Sequence, residues 1–212
     1  MVSTPYRIKF TKTGSLQFIS HLDLNRTMTR VLVRAGLPVH YSEGFNPHPK
    51  ITFGPPLSIG AESLTEFMDF RLDTADGALI PTDVITEKLN KALPPEMRVL
   101  ETYRPDSSLS SVSFAEYEIR TSEPFDPAPI FEKQIILPKR TKKGTVDTDI
   151  KPMIRSVTIS PAKTSLRCVL SARPDVYLNP EYVASALRLN EYGIIRTKLF
   201  SSDENGDPVL FR

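Results

Sequence analysis

Alternating apolar and polar residues begin the chain and predict a strand that is buried on one face. Tyr6, Ile8 and Phe10 alternate with polar neighbours in the segment YRIKFTK, and a period of two is typical of a half-buried strand. Apolar residues then recur at intervals of three and four over residues 24–35, which predicts an amphipathic helix. Ser20 predicts the start of that helix, because its hydroxyl can accept a hydrogen bond from a free amide of the first turn.

Further strand and helix patterns complete the first half of the chain. A strand is predicted over residues 64–72, where one acid, Glu66, falls in the buried register together with Leu64. The other predicted elements are a short strand at 38–41, a helix that starts at residue 82 and ends before Pro94, and a strand over 97–103. The order strand, helix, strand, strand, helix, strand indicates the ferredoxin-like pattern.

The second half roughly repeats this order without repeating the sequence. Its predicted elements are strands over 112–120, 153–159, 166–170 and 194–200, a short helix over 126–133 and a helix after Asn179. We therefore expect an α+β fold of two ferredoxin-like (βαββαβ) halves, with antiparallel sheets and helices on one face. The polar stretch PDSSLSS at 105–111 favours a division into domains 1–105 and 106–212.

Proline and glycine interrupt the first half in the segment GFNPHPKITFGPPLSIG, residues 44–60. Proline fixes one backbone dihedral and lacks an amide donor, whereas glycine adopts conformations that are closed to other residues. The segment therefore predicts a defined irregular loop. From sequence alone, this loop is either a rigid structural corner or a surface that presents side chains to a ligand.

Charge is unevenly distributed, although the net charge is only +2. Basic blocks in residues 1–50 and 131–173 flank an acidic block at 62–106. A basic block is a candidate phosphate-binding surface, and it is also typical of a solvated face. The candidate nucleic-acid contacts are Arg26, Arg30, Lys50, Lys139, Arg140, Lys142 and Lys143, the last four in a predicted basic hairpin at 139–144.

His48 is a candidate for acid–base chemistry, and His21 and Glu66 are the other candidate catalytic residues. His48 lies between two prolines that stiffen its backbone, and an imidazole exchanges protons near neutral pH. Glu66 needs a partner if it is buried, so an active site and a structural ion pair are both open. The sequence contains no phosphate-binding glycine motif and no G-x-S-x-G nucleophile motif.

Cysteine content and hydropathy limit the classes of protein to which this chain can belong. A single cysteine, Cys168, excludes an internal disulfide, and neither a metal site nor a cofactor site is predicted. No apolar run reaches the ~20 residues that span a bilayer, and the first residues lack the apolar core of a secretory signal. We expect a cytoplasmic protein without a membrane partner.

Four motifs resemble those of a bacterial family. They are FISHLD at 18–23, RAGLP at 34–38, YSEGFNPHPK at 41–50 and FGPPLSIG at 53–60. Over nearly its whole length the chain resembles the radical-SAM-linked protein family, a bacterial domain of unknown function that occurs alone, beside a radical-SAM protein or fused to one. The resemblance implies a radical-SAM partner and an accessory role. It implies no radical chemistry here, because this chain lacks the cysteine triad of an iron–sulfur cluster.

The combined expectation is an RNA-binding accessory module of a radical-SAM system, with structured RNA, either rRNA or tRNA, as its substrate. Two alternatives remain open. One is an RNA-processing or RNA-modifying enzyme that uses His48, and the other is a protein-interaction module that docks the radical-SAM protein. Whether His21, His48, Lys50 and Glu66 meet in one cleft is the observation that best separates binding from catalysis.

Overall fold

The chain consists of two compact units, each built around an antiparallel sheet. The computed structural model describes residues 2–75, 78–141 and 144–212, and the units are Met1–Ser111 with Arg212, and Val112–Phe211. The described α-helices are α1 (His21–Arg34), α2 (Thr82–Ala92) and α3 (Glu181–Ala186). The described strands are β1 (Val2–Lys12), β2 (Ile51–Phe53), β3 (Ala61–Thr74), β4 (Met97–Tyr103), β5 (Val112–Arg120), β6 (Ile136–Thr141), β7 (Gly144–Asp149), β8 (Ile154–Ile159), β9 (Ser165–Ser171), β10 (Gly193–Ser202) and β11 (Pro208–Leu210).

In the first unit the strands lie in the order β4-β1-β3-β2. Met68 and Phe70 of β3 pair with Ile8 and Tyr6 of β1 on one side and with β2 on the other. Strand β4 pairs with the opposite edge of β1. Along the chain, the elements of this unit follow one another as β1, α1, β2, β3, α2 and β4.

The core of the first unit is built from the periodic residues of its strands and helices. Tyr6, Ile8 and Phe10 of β1 are buried as predicted, but the polar residue Arg7 between them is buried as well. The start of α1 is also confirmed, because the Ser20 hydroxyl accepts a hydrogen bond of 3.1 Å from the amide of Asp23. Helix α1 contributes four residues of the predicted apolar series to the core: Leu24, Met28, Val31 and Leu32.

Leu64 departs from the predicted register of β3. We predicted that it would face inward with Glu66, but Leu64 is 45% exposed and its neighbour Thr65 is buried. The pairing of β1 with β3 shifts between Phe10 and Lys12, and a bulge of this kind reverses which residues of a strand face the core. Glu66 lies on the regular side of the shift and is buried as expected.

In the second unit the strands lie in the order β10-β5-β9-β8. Leu170 of β9 pairs with Ala115 of β5 on one side and with Ile154 of β8 on the other, while β10 pairs with the opposite edge of β5. When β5, β8, β9 and β10 are counted as first to fourth, this is the strand order of the first unit. The two units therefore share a strand order although their sequences show no repeat.

The helix predicted over 126–133 is wrong. The chain forms one short 3-10 helix there, Ala128–Phe131, because Pro127 and Pro129 remove backbone donors that an α-helix needs. The described residues thus contain three α-helices, whereas two complete βαββαβ halves require four. A mixed α/β architecture with antiparallel sheets is confirmed. Among the described residues, no helix has the length and apolar character needed to cross a membrane.

Candidate functional site

Part of the glycine- and proline-rich segment forms a loop that is closed at its base. Tyr41 and Pro49 form an antiparallel bridge, and the Ser42 amide donates to the carbonyl oxygen of His48 at 2.8 Å. Gly44 has a φ of +116°, a conformation that residues with a β-carbon rarely adopt. The loop therefore has a defined backbone conformation.

His48 is exposed, and the loop itself orients its ring. The Ser42 hydroxyl accepts a hydrogen bond of 3.1 Å from the His48 amide and lies 3.0 Å from Nδ1 of the ring. The backbone oxygen of Asn46 is 3.3 Å from the same nitrogen. Because these contacts engage Nδ1, a ligand would meet Nε2.

The base of the loop forms one wall of a cleft of about 610 Å³. Residues 48–52 and residues 69–71 of β3 line this cleft. Asn25 and Thr29 of α1 also line it, and they lie on the same face of the helix because they are four residues apart. We refer to this site as the Lys50 cleft.

Positive charge predominates in the Lys50 cleft. Lys50 is exposed. Arg71 donates from Nε and Nη2 to the hydroxyl and carbonyl oxygens of Ser3, both at 2.8 Å, and these neutral acceptors orient the guanidinium without neutralising it. Asp69 also lines the cleft, but Arg7 binds its carboxylate. Lys50 and Arg71 therefore determine the sign of the local charge.

Arg7 is a buried residue that binds the cleft residue Asp69. Its guanidinium is fully buried and binds both carboxylate oxygens of Asp69, at 2.6 and 2.8 Å. It also donates to the backbone oxygens of Ser107, at 2.8 Å, and Arg212, at 3.1 Å. Burial alone would lower the pKa of Arg7, but the Asp69 carboxylate and Tyr103 together outweigh burial, and the pKa lies above its usual value.

Glu66 and His21 line a second, much smaller cavity, together with Lys12. This cavity measures about 10 Å³, which is room for about one water molecule, and residues 54–57 form part of its lining. Lys12 and Glu66 are 2% and 5% exposed, and Lys12 Nζ donates to the backbone oxygen of Leu16 at 3.2 Å. We refer to this site as the Glu66 cavity.

The other wall of the Glu66 cavity is formed where α1 meets β2. His21 is the first residue of α1, and its ring contacts Phe53 edge-on with 5.4 Å between ring centres. Sequence reasoning named His21 and Glu66 but missed Lys12. The signal was present, because Lys12 continues the inward series of β1 that begins at Tyr6.

The candidate catalytic residues consequently lie in two places. His48 and Lys50 line the Lys50 cleft, whereas His21 and Glu66 line the Glu66 cavity, and β2 contributes residues to both. An acid–base pair must reach the same reacting atoms, and residues in separate cavities do not. The hypothesis of an RNA-processing or RNA-modifying enzyme that uses His48 stays a prediction, and this arrangement does not favour it.

Among the candidate nucleic-acid contacts of the first unit, Arg26 and Arg30 lie on the exposed side of α1. Each follows directly after a residue that lines the Lys50 cleft. Arg26 pairs with Asp23 at 3.6 Å, and both side chains are more than half exposed. Exposed pairs of this kind contribute little stability, so Arg26 can exchange its partner for a phosphate.

The candidate contacts of the second unit are less accessible or lie outside the described residues. The ammonium of Lys139 donates to the backbone oxygen of Tyr177 at 2.8 Å, which ties it to its own unit. The structure describes Arg140 only by its place in β6. Lys142 and Lys143 lie outside the described residues.

Nucleophilic chemistry by a cysteine and metal binding both find little support in the described part of the chain. Burial raises the pKa of the Cys168 thiol to about 12, so its nucleophilic thiolate form is strongly disfavoured. No group of three or more histidine, cysteine, aspartate or glutamate residues is arranged to hold a metal ion within residues 2–75, 78–141 and 144–212.

Comparison with known proteins places both cavities inside the region that one family model matches. A family model described as "Uncharacterized protein conserved in bacteria (DUF2344)" matches residues 5–180. This range begins in β1 and ends immediately before α3. No curated protein matches the chain.

Proposed function

The chain belongs to the DUF2344 family of uncharacterised bacterial proteins, and we propose that it is an RNA-binding accessory module that holds the RNA backbone in the Lys50 cleft. The observation that carries this proposal is the pair of cations in that cleft. Lys50 is exposed, and Arg71 is oriented by neutral oxygens of Ser3. A phosphate between these two side chains would receive charge-assisted hydrogen bonds, which are about twice as strong as neutral ones.

The surroundings of the two cations also suit a nucleic-acid backbone. Asn25 and Thr29 bring an amide and a hydroxyl to the same cleft, and polar side chains of these types commonly bind phosphate and sugar oxygens. Arg26 and Arg30 extend the positive surface along α1. Neutralising several phosphates releases counterions, so the affinity would fall steeply with salt.

The partner and the cellular setting form part of the same proposal. The resemblance of YSEGFNPHPK at 41–50 to the radical-SAM-linked family supports a role beside a radical-SAM protein that acts on rRNA or tRNA in the cytoplasm. In this scheme the chain supplies RNA binding and its partner supplies the radical chemistry. The loop that bears the motif also forms a wall of the Lys50 cleft.

The shared strand order supports a fold proposal as well. We infer that both units derive from the ferredoxin-like pattern, in which the fourth, first, third and second strands are neighbours. The first unit has both helices of the pattern. In the second unit, the β6–β7 hairpin and short 3-10 helices occupy the position of the first helix in the chain.

RNA binding can be tested by fluorescence anisotropy with a labelled tRNA at several salt concentrations. Lys50→Glu should weaken binding about tenfold or more, because a hydrogen bond to a charged group contributes about 1.5–3 kcal/mol. Lys88→Glu is the matched control, since Lys88 is exposed on α2 and does not line the cleft. The proposal fails if the protein does not bind, if binding does not weaken with salt, or if the two variants behave alike.

A specific observation also supports a protein-interaction role. Phe45 lies in the loop closed by Tyr41 and Pro49, and its side chain is fully exposed at 112%. Exposed aromatic residues on a defined scaffold are frequent anchors of protein interfaces. Under this second candidate function, Phe45→Ala should reduce co-purification with the radical-SAM partner and leave tRNA affinity unchanged. Unchanged co-purification would exclude Phe45 as the anchor.

A further inference from the structure

The second unit contains a cleft of about 330 Å³ that we refer to as the Arg173 cleft. Ser113 and Phe114 line it from β5, and residues 152–155 line it where β8 begins. Ser171 ends β9, and Arg173 follows two residues later. The cleft therefore lies where the first and second strands of this unit begin and the third strand ends.

The Lys50 cleft occupies the corresponding corner of the first unit. It is lined by Pro5 of β1, by residues 48–52 around the start of β2 and by residues 69–71 of β3. The strand pairing agrees, because Pro5 pairs with Arg71 in the first unit and Phe114 pairs with Ser171 in the second. The two clefts are thus equivalent in the strand order that the units share.

Each cleft also receives two cations from the corresponding strands. Lys50 immediately precedes β2 and Arg71 lies in β3, whereas Arg155 lies in β8 and Arg173 follows β9. The surrounding sequences differ, so this correspondence arises from topology and is not visible in the sequence. A repeated pair of cations at equivalent positions indicates a repeated preference for an anionic ligand.

Carboxylates already contact both arginines of the Arg173 cleft. Arg155 pairs with Asp207, and Arg173 pairs with Asp175 at 3.5 Å. All four side chains are 49–71% exposed, and exposed pairs typically contribute about 0–1 kcal/mol. An incoming phosphate can therefore replace these carboxylates at little cost.

The remaining lining suits a nucleotide rather than a simple anion. Phe114, Met153 and Val176 provide half-buried apolar surface, and an aromatic ring can contact a base or a sugar. Ser171 and Ser202 add hydroxyl groups. We propose that the Arg173 cleft is a second RNA-binding site, in which Arg155 and Arg173 bind a backbone phosphate. The choice of RNA as ligand rests on the proposed function of the Lys50 cleft.

The test uses the labelled tRNA and compares three variants of the second unit. Arg173→Glu should weaken binding about tenfold and reduce the slope of log affinity against log salt by about 0.7–0.9, the value for one phosphate. The matched control is Lys133→Glu, because Lys133 is exposed in the same unit and lies outside the cleft lining. Asp175→Asn should strengthen binding about two- to fivefold, because it removes the carboxylate that competes for Arg173.

The outcomes separate this inference from the proposed function. If Lys50→Glu weakens binding while Arg173→Glu matches the Lys133→Glu control and Asp175→Asn has no effect, the second site is excluded and the proposed function stands. If the wild-type protein does not bind tRNA, the proposed function fails. An NMR titration with inorganic phosphate then tests anion binding at this cleft by itself, because amide shifts at 153–155, 171–173 and 175–176 support it and their absence overturns it.

Discussion

Replacing Asp69 by asparagine should destabilise the protein and, at the same time, raise the affinity of the Lys50 cleft for anions. Asp69 lines that cleft and also binds the buried guanidinium of Arg7 through both carboxylate oxygens. Asparagine has nearly the same shape but no charge. The substitution therefore removes the carboxylate charge that binds Arg7 without opening a large cavity, and it makes the net charge beside the cleft more positive by one.

The magnitude of the destabilisation follows from the burial of Arg7. Its side chain is 0% exposed, whereas that of Asp69 is 28% exposed. Removing one partner of a buried ion pair costs about 3–5 kcal/mol, because the other charge is left buried. Arg7 keeps its hydrogen bonds to the backbone oxygens of Ser107 and Arg212. We therefore expect the lower end of that range, a loss of about 3 kcal/mol in the free energy of unfolding.

Urea unfolding followed by far-UV circular dichroism measures this loss, since the chain has no tryptophan for fluorescence. The control is Glu87→Gln, which breaks an exposed pair with Lys91 on α2 and should cost no more than about 0.5 kcal/mol. The double variant Arg7→Met with Asp69→Leu should recover most of the stability, because an apolar pair of similar volume often replaces a buried ion pair.

Two results would refute this reasoning. A free energy of unfolding for Asp69→Asn within about 0.5 kcal/mol of wild type would show that Arg7 does not depend on its partner. If Asp69→Asn binds tRNA more weakly than wild type, in place of the expected rise in affinity, the Asp69 carboxylate contacts the ligand. The charge balance assigned to the Lys50 cleft would then be wrong.

Three further predictions concern single side chains. Ser20→Ala should lower the free energy of unfolding by about 1 kcal/mol through loss of the α1 cap, and an unchanged urea midpoint would contradict the cap. Burial raises the pKa of Cys168 to about 12, so this thiol should react slowly with a disulfide reagent in the native protein at pH 8. It should react rapidly once the protein is unfolded in urea, and equal rates would contradict its burial. The hydrogen bond from Arg120 lowers the pKa of Glu118 in the folded protein. The ionised carboxylate therefore stabilises the fold at pH values above its unfolded pKa. This contribution is lost as the pH falls through its folded pKa. Glu118→Gln should therefore flatten the acid side of the stability profile, and a profile as steep as that of wild type would contradict this role.

Local patterns predicted the elements whose stability depends on nearby residues. The apolar series of α1 and the hydroxyl of Ser20 identified this helix and its start, because capping and helical spacing involve residues within a few positions. The alternation at Tyr6 identified β1 for the same reason. The inward register of Glu66 was also predictable, and His21 was named with it, although their neighbour Lys12 in the cavity was missed.

Predictions failed where long-range pairing overrides local preference. Leu64 is apolar, but a shift in the pairing of β1 with β3 turns it outward. The helix expected over residues 126–133 is a different case, because the local effect of Pro127 and Pro129 limits this segment to a 3-10 turn. The partners Arg7 and Asp69 are 62 positions apart, and no local pattern indicates such a pair.

The sequence by itself indicated a bacterial family of unknown function, the strand-rich mixed fold and the irregular loop that carries His48 and Lys50, since these depend on residue types and short-range spacing. Only the tertiary structure decided that His48 and Glu66 line different cavities, that Arg71 joins Lys50, and that Arg155 and Arg173 occupy the equivalent corner of the second unit. The physical reason is strand order. Pairing in a sheet brings together the ends of strands that are distant in the chain, so a site at those ends has no contiguous signature in the sequence.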